Sequence, residues 1–436
     1  MISAPPGVQK GVALLLATLV LLIATTAAFL YSWNSARGRA AYDLATETAL
    51  REAKEALIAY AVSVNLSGSG RLGDLPCPDL DNDGKKETSC GNASGTTGQA
   101  ARLGRLPWKD LGIADLRDGS GERLWYAVSS NFKENFRSEP LNSDTTGTIR
   151  VVDATGKVLS NVVAIVIAPG EPLQRQGSAT VQERSGTNQN DPTQYLDVAN
   201  GEDNADFADG SSTNGFIAGP VRDAAGRVIA NDRILAITYE DIMPIIEKRV
   251  ASEVLNCLSN YAAYNVAPEN NAGHFPWAAS LSTSAAGSYD DTAGVRFGRF
   301  PDRMCATGGE GAGDILCDPV VGTNPAMLQS WGAVSGCSVT NSWFTHHWRE
   351  QVFYAIADGY KPGTSSPSCG TCLTVDTKTS LRAVVIVARK ALPGQDRTSG
   401  KANAANYLEG QNATPYDDIF SAGGNAFLFN DLVLYR

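Results

Sequence analysis

A run of alternating carboxylates is the most chemically specific pattern in this sequence. It reads DLDNDG from Asp79 to Gly84, and Glu87 follows it. Carboxylates at alternate positions of a turning loop can converge on a hard cation, and glycine permits the tight turn. The twelfth position, where a complete EF-hand loop needs a bidentate glutamate, is Cys90. The sequence therefore predicts a partial Ca²⁺ loop, and a solvated Asp/Asn/Gly turn is the alternative. The expected calcium ligands are Asp79, Asp81, Asp83 and Glu87.

Two cysteines bracket this loop and form the first expected disulfide. Cys77 and Cys90 stand on either side of the acidic run, and closing so short a loop stabilises the fold by about 3 kcal/mol. The chain has 8 cysteines, an even number that suits an oxidising compartment. Between Cys369 and Cys372 we expect a local structural disulfide, since no thioredoxin-like unit surrounds them. The pairing of the second-half cysteines remains open at this point: Cys257, Cys305, Cys317, Cys337, Cys369 and Cys372.

The other polar clusters give weaker signals. The acidic residues Glu202, Asp203, Asp206 and Asp209 lack regular ligand spacing, and we interpret them as a solvated loop. His346 and His347 stand among tryptophans, so aromatic packing is favoured over zinc binding. The charge balance of 36 basic against 46 acidic residues argues against a nucleic-acid partner, which needs a basic face.

The N-terminus reads as a membrane anchor. Residues 12–33 form an apolar run of about 22 residues, enough to cross a hydrocarbon core of about 30 Å. Tyr31 and Trp33 suit the far interface of the membrane. Residues 1–11 then form a leader-like segment. The rival interpretation is a cleaved secretory signal that ends at Thr26-Ala27-Ala28.

The sequence of the soluble part contains an internal duplication. Each copy predicts a helix, then irregular loops, then mostly antiparallel strands, which is an α+β unit. The first copy spans residues 34–240 and the second residues 241–436. Six landmarks recur in the same order. They include Gly104-Arg105 with Gly298-Arg299, Tyr195-Leu196-Asp197 with Tyr407-Leu408-Glu409, and Asn231-Asp232 with Asn430-Asp431.

Both predicted helices are amphipathic. The first, over residues 37–64, continues the membrane helix with only Gly38 as a weak point. The second spans residues 242–264 and follows a capping-box pattern from Thr238 to Asp241. The apolar stripes consist of Leu50, Ala53, Leu57, Tyr60, Ala61 and Val64, and of Val250, Val254, Cys257, Leu258 and Tyr261.

The start of the anchor carries a family resemblance. Lys10 and Gly11 open the apolar helix at Val12, which resembles type IV prepilins and the pseudopilins of type II secretion. The resemblance implies cleavage between Gly11 and Val12 by a prepilin peptidase. Most members carry glutamate at the fifth position after the cut, where this chain has Leu16. In that respect it is similar to minor, tip-located members.

The expected function follows from this resemblance and from the lack of a repeated catalytic set. We expect a single-pass protein of a bacterial inner membrane whose body lies in the periplasm or on the cell surface. It would act by assembly with other pilin or pseudopilin subunits and not as an enzyme. The alternatives are an anchored extracytoplasmic enzyme of hydrolase type that uses the acidic loops, and a tip adhesin.

Overall fold

The chain forms a mixed α+β protein. The computed structural model describes residues 8–66, 70–91, 99–134, 140–206, 215–266, 269–304, 330–364, 366–414, 417–423 and 429–436. Within these residues one long N-terminal helix precedes several small, mostly antiparallel sheets, so the predicted α+β class is confirmed. Residues 1–7 of the leader-like segment, Asp209, Cys305 and Cys317 lie outside the described residues.

Helix α1 (Val8–Val62) runs for 55 residues without a break. At 1.5 Å per residue it is about 80 Å long. Its N-terminal apolar part is exposed, and no other helix of the described residues is long and apolar enough to cross a membrane. The structure thus has the apolar N-terminal helix that the sequence predicts, and this helix continues into the body as one rod.

The C-terminal part of α1 packs on the body. Tyr42 lies against Gly119, and Asp43 accepts a hydrogen bond from Arg233 at 2.5 Å. Thr46 then accepts from the backbone N–H of Gly119 at 2.9 Å. The buried side chains recur three or four positions apart, so one stripe faces the body. They are Ala49, Leu50, Ala53, Leu57 and Ala61.

The first half of the body, residues 99–237, contains a main sheet and a smaller sheet. The main sheet has the order β1-β2-β5-β11 and is antiparallel throughout. The smaller sheet has the order β4-β3-β8, in which β8 runs parallel to β3. The strands are β1 (Leu103–Arg105), β2 (Trp125–Val128), β3 (Ile149–Asp153), β4 (Val158–Val162), β5 (Ala164–Ala168), β6 (Val198–Ala199), β7 (Glu202–Asp203), β8 (Phe216–Ala218), β9 (Val221–Arg222), β10 (Val228–Ala230) and β11 (Arg233–Ile237).

The second half, residues 239–436, begins with helix α2 (Tyr239–Ala262). Thr238 and Asp241 form the predicted capping box at its start. The main sheet has the order β14-β15-β18-β20, and the smaller sheet β17-β16-β19 has β19 parallel to β16. The further elements are β12 (Asn265–Val266), β13 (Glu269–Asn270), α3 (Leu281–Ala285), β14 (Phe297–Arg299), a π-helix (Trp343–Trp348), β15 (Val352–Ile356), β16 (Leu373–Val375), β17 (Lys378–Leu381), β18 (Ala383–Val387), β19 (Ile419–Phe420) and β20 (Leu432–Tyr435).

Each main sheet is buried on both faces. In β5, Val166 joins a core with α1, while Ile165 and Ile167 pack toward the smaller sheet. In β18, Val385 joins the core with α2, and Ile386 packs toward the smaller sheet of its own half. Because α1 and α2 also contact each other, the two helical layers and both main sheets share one core.

A loop of the first half also docks on the second half. Asp144 accepts hydrogen bonds from Arg397 at 2.9 Å and from the side chain of Gln351 at 3.0 Å. Next to it, Nδ1 of His347 accepts from the backbone N–H of Leu141 at 3.1 Å. The halves are therefore joined by polar contacts, of which the one to His347 is buried, as well as by the shared core.

One expectation about this architecture is wrong. The polar composition of residues 174–219 predicts a long surface excursion, but the described part of this stretch returns to the body. Tyr195 and Leu196 are buried in the core of the first half, and β8 pairs with β3. The reason is non-local: these residues are buried by elements distant in the sequence.

Candidate functional site

The acidic loop lies against the edge of the first main sheet. The Cα atoms of Cys77 and Cys90, the pair expected from the sequence, are 5.4 Å apart in a disulfide. Asp79 exchanges two backbone hydrogen bonds with Arg105 of β1, at 3.0 and 2.7 Å. Its carboxylate accepts from the backbone N–H of Asn82 at 2.6 Å and of Gly84 at 2.7 Å. The backbone of its own turn therefore fixes the position of the Asp79 carboxylate.

Three of the four expected ligands converge. One oxygen each of Asp79, Asp81 and Glu87 lie within 4.8 Å of one another. Asp83 is not in this group: it is exposed, and its Oδ1 accepts from the backbone N–H of Lys85 at 2.7 Å. Burial, and then the neighbouring charges of Asp81 and Asp83, raise the pKa of Asp79. Ca²⁺ takes six to eight oxygens, so water or carbonyl groups would have to complete the coordination around these three carboxylates.

A groove of about 650 Å³ adjoins the acidic loop and shares Glu87 with it. On its wall the hydroxyl of Tyr60 donates to Glu134 at 2.7 Å, and Lys86 donates to both Glu134 and Tyr60. Burial raises the pKa of Tyr60 to about 12, so the phenol keeps its proton at neutral pH. These three groups are therefore bonded to one another and form one polar wall of the groove.

In each of the other two clusters named from the sequence, one member is buried in the fold: Glu202 and His347. Glu202 is buried, forms an ion pair with Arg150 and accepts from the backbone N–H of Gly215, so the expectation of a solvated loop is wrong for it. Asp203 pairs with Arg175. Burial lowers the pKa of His347 to about 4, and this neutral ring packs between the halves.

The first half contains a buried pair of carboxyl groups beside β11. Asp232, immediately before that strand, accepts from the backbone N–H of Asp197 and from the side chain of Asn204, both at 2.7 Å. Asp197 in turn accepts from the backbone N–H of Asn231 at 2.7 Å and from Gln182 at 3.2 Å. Both carboxyl groups have no exposed surface.

The second half contains the same arrangement beside β20. Asp431, immediately before that strand, accepts from the backbone N–H of Glu409 at 3.0 Å and from the side chain of Asn412 at 2.9 Å. Glu409 accepts from the backbone N–H of Asn430 at 3.1 Å and from Gln395 at 2.7 Å. Each bond has its counterpart in the first half.

Each half also contains a buried arginine. Arg105 of β1 and Arg299 of β14 each lie between two aromatic rings, an arrangement stabilised by cation–π attraction. Burial lowers the pKa of Arg105 to about 10. The ring centroids lie 4.2 and 4.0 Å from the guanidinium carbon for Trp125 and Tyr195 around Arg105, and 4.1 and 3.9 Å for Phe353 and Tyr407 around Arg299.

Sequence reasoning missed the role of these residues although it found their positions. It used Asp197, Asp232, Glu409 and Asp431 only as landmarks of the repeat. A signal was available, because each acidic residue stands next to an apolar residue or at the start of a strand, where an unpaired charge is costly. The bonds between them join residues 22 to 35 positions apart, which spacing alone does not reveal.

Comparisons of the chain with known protein families, with curated proteins and with solved structures find no match.

Proposed function

We propose that this chain is a membrane-anchored, pseudopilin-like assembly protein. The observation that carries the proposal is helix α1, whose exposed apolar part runs without interruption into a stripe buried on an antiparallel sheet. A helix that serves only as a membrane anchor needs about 20 residues, whereas α1 has 55 and is also part of the core. In this proposal the apolar part is stored in the bilayer and packs among the helices of other subunits after assembly.

The disulfides support a position outside the cytoplasm. Besides Cys77–Cys90, Cys257 is bonded to Cys337 and Cys369 to Cys372. Structural disulfides persist in oxidising compartments such as the periplasm or the cell surface. We therefore propose a single-pass protein of a bacterial inner membrane with its body on the far side.

We further propose that residues 34–240 and 241–436 are two copies of one pilin-like unit. The main sheets share their strand order, and so do the smaller sheets. Gly104 pairs with Tyr126 as Gly298 pairs with Tyr354. Both tyrosine hydroxyls donate to a proline carbonyl oxygen, that of Pro76 or Pro276, at 3.1 Å. The repeated carboxyl pairs give the same support from another part of each half.

The alternative of an anchored enzyme would use the groove beside the acidic loop. We favour assembly because Tyr60, Lys86 and Glu134 are bonded to one another there and the second half has no counterpart of this set among its described residues. A tip adhesin would use the same anchor and remains compatible with assembly.

Processing of the N-terminus tests the proposal. Mass spectrometry of the protein from a host that expresses a prepilin peptidase should find Val12 as the first residue, and Gly11→Val should block the cut. Gly7→Val, four residues upstream, is the matched control and should leave cleavage intact. A mature protein that begins near Phe29 would identify a secretory signal and exclude the anchored pseudopilin. In the same samples, the cleaved protein should stay in the membrane fraction.

A further inference from the structure

Among the described residues, no arginine or lysine forms an ion pair with either buried carboxyl pair. Next to the first pair, Arg184 gives its donors to backbone carbonyl groups and to Gln182, and it pairs with Glu122. Next to the second pair, Arg397 is occupied by Asp144, by Gln395 and by backbone carbonyl groups. Two ionised carboxylates side by side in a buried site repel each other strongly, and one of them commonly retains its proton.

In each pair, one buried carboxyl oxygen receives no hydrogen bond and could therefore carry that proton. Oδ2 of Asp232 accepts two hydrogen bonds, while its Oδ1 is buried and has no donor among the described residues. Asp431 repeats this: Oδ2 accepts two bonds and Oδ1 has none. The side chains of Asp431 and Glu409 are within hydrogen-bond reach of each other. A protonated oxygen on Asp431 would therefore have an acceptor in Glu409, and no buried oxygen would lack a partner.

We propose that each half contains a buried carboxyl pair that retains a proton, Asp197 with Asp232 and Glu409 with Asp431, and that fastens a loop to the start of the last strand of the main sheet; in the second half the two side chains share this proton. In the first half the pair joins the segment that leads to β6 to the first residue before β11. In the second half it joins the short helical turn over Gly410–Ala413 to the first residue before β20. Loss of the shared proton places two negative charges at each junction and weakens the attachment.

The surrounding groups give the direction of the pH dependence. Burial raises the pKa of Asp197 to about 6 and that of Asp232 well above its usual range, although Arg184 opposes both shifts. Burial and then the charge of Glu409 raise the pKa of Asp431 to about 8. An unfolded aspartate titrates near pH 4, so the folded state holds the extra protons above that pH. The stabilisation is complete below about pH 4 and is lost as the pH rises through about 6 to 8.

Thermal melts of the full chain in detergent test this inference. Between pH 5 and pH 9 the wild-type midpoint should fall by at least about 5 °C. The doubly substituted Asp232→Asn, Asp431→Asn protein imitates the protonated acids, and its midpoint should change much less over the same range. Asp223→Asn, which removes a partly exposed carboxylate from a turn, is the matched control, and its midpoint should fall over this pH range as that of the wild type does.

Two results would overturn the inference. One is a double variant whose midpoint depends on pH as strongly as that of the wild type. The other is a full recovery of the midpoint at pH 9 on addition of CaCl₂ in the Asp81→Ala protein, whose acidic loop cannot supply the effect, because this would make the pairs cation sites. If the variants fail to fold, infrared spectra of the wild type decide the matter. They should contain a protonated-carboxyl band at pH 7 that disappears by pH 9, and its absence at pH 7 would refute proton sharing.

Discussion

Removal of Arg389 should expose the cost of a charge buried between α2 and β18. Glu247 of α2 has a fully buried side chain, and Arg389 donates to it at 2.6 Å. The hydroxyl of Tyr239 shares its single proton between Glu247, at 3.1 Å, and the carbonyl oxygen of Ser143, at 2.9 Å. The substitution Arg389→Met keeps much of the apolar volume and removes the only cation that contacts this carboxylate among the described residues.

The expected loss is large for a single substitution. Breaking a buried ion pair by removing one partner costs about 3–5 kcal/mol, because the other charge stays buried without compensation. At about 2 °C per kcal/mol, the scale for larger domains, the melting midpoint should fall by about 6–10 °C. The bond from Tyr239 survives the substitution, so the lower end of this range is the better expectation.

The loss should also depend on pH. Burial already raises the pKa of Glu247, and Arg389 is the main group that opposes this shift. Without Arg389 the folded state takes up a proton that the unfolded state releases near pH 4. Stability is then lost as the pH rises through the folded pKa, so Arg389→Met should be more destabilised at pH 8 than at pH 5.

A double-mutant cycle measures the interaction. Denaturation midpoints are compared for Arg389→Met, Glu247→Gln and the double variant, in which both charges are absent. The double variant should recover a large part of the loss, since no unpaired charge remains. Arg222→Met, an exposed arginine on β9, is the control and should change stability little. A loss below about 1 kcal/mol at pH 8, or one that is equal at pH 5, would refute the assignment of Glu247 as a buried, ionised partner.

Three further outcomes are expected. Millimolar CaCl₂ should raise the melting midpoint of the soluble body by mass action, chelator should reverse this, and Asp81→Ala should abolish it; an unchanged wild-type midpoint would leave only a turn. Replacing Cys257 and Cys337 by serine opens an 80-residue loop and should lower the free energy of unfolding, measured by denaturant titration, by about 4 kcal/mol. A serine variant as stable as the wild type would contradict this. Gly298→Ala should cost about 1–3 kcal/mol, because a Cβ would overlap the carbonyl oxygen of Ala279; a stability equal to wild type would show that the strand can shift.

Local patterns in the sequence predicted the local elements well. The capping box from Thr238 to Asp241 predicted the start of α2 correctly. The loop with alternating carboxylates also brought Asp79, Asp81 and Glu87 together, because their spacing along one turn decides it. Asp83 departs from the expected set since its carboxylate bonds the backbone of the following turn instead.

Contacts between distant parts of the chain were beyond this kind of prediction. Glu202 meets Arg150 across 52 residues, and Asp232 accepts from the backbone of Asp197 across 35. The periodicity of the sequence does not reveal such pairs, because it reflects only the secondary structure around each residue and not its distant partner. Residues 174–219 therefore looked like a solvated excursion, although burial of Tyr195 against Arg105 holds part of that stretch inside the fold.

The continuity of α1 couples the orientation of the body to the apolar segment. Along an α-helix each residue advances the chain by about 1.5 Å and turns it by about 100°. No Gly or Pro other than Gly38 stands between Trp33 and the first buried stripe at Ala49. A one-residue insertion after Trp33 would therefore rotate the whole body by about a quarter turn relative to the apolar segment. The number of residues between Trp33 and Ala49 therefore determines the direction, around the helix axis, in which each surface of the body faces.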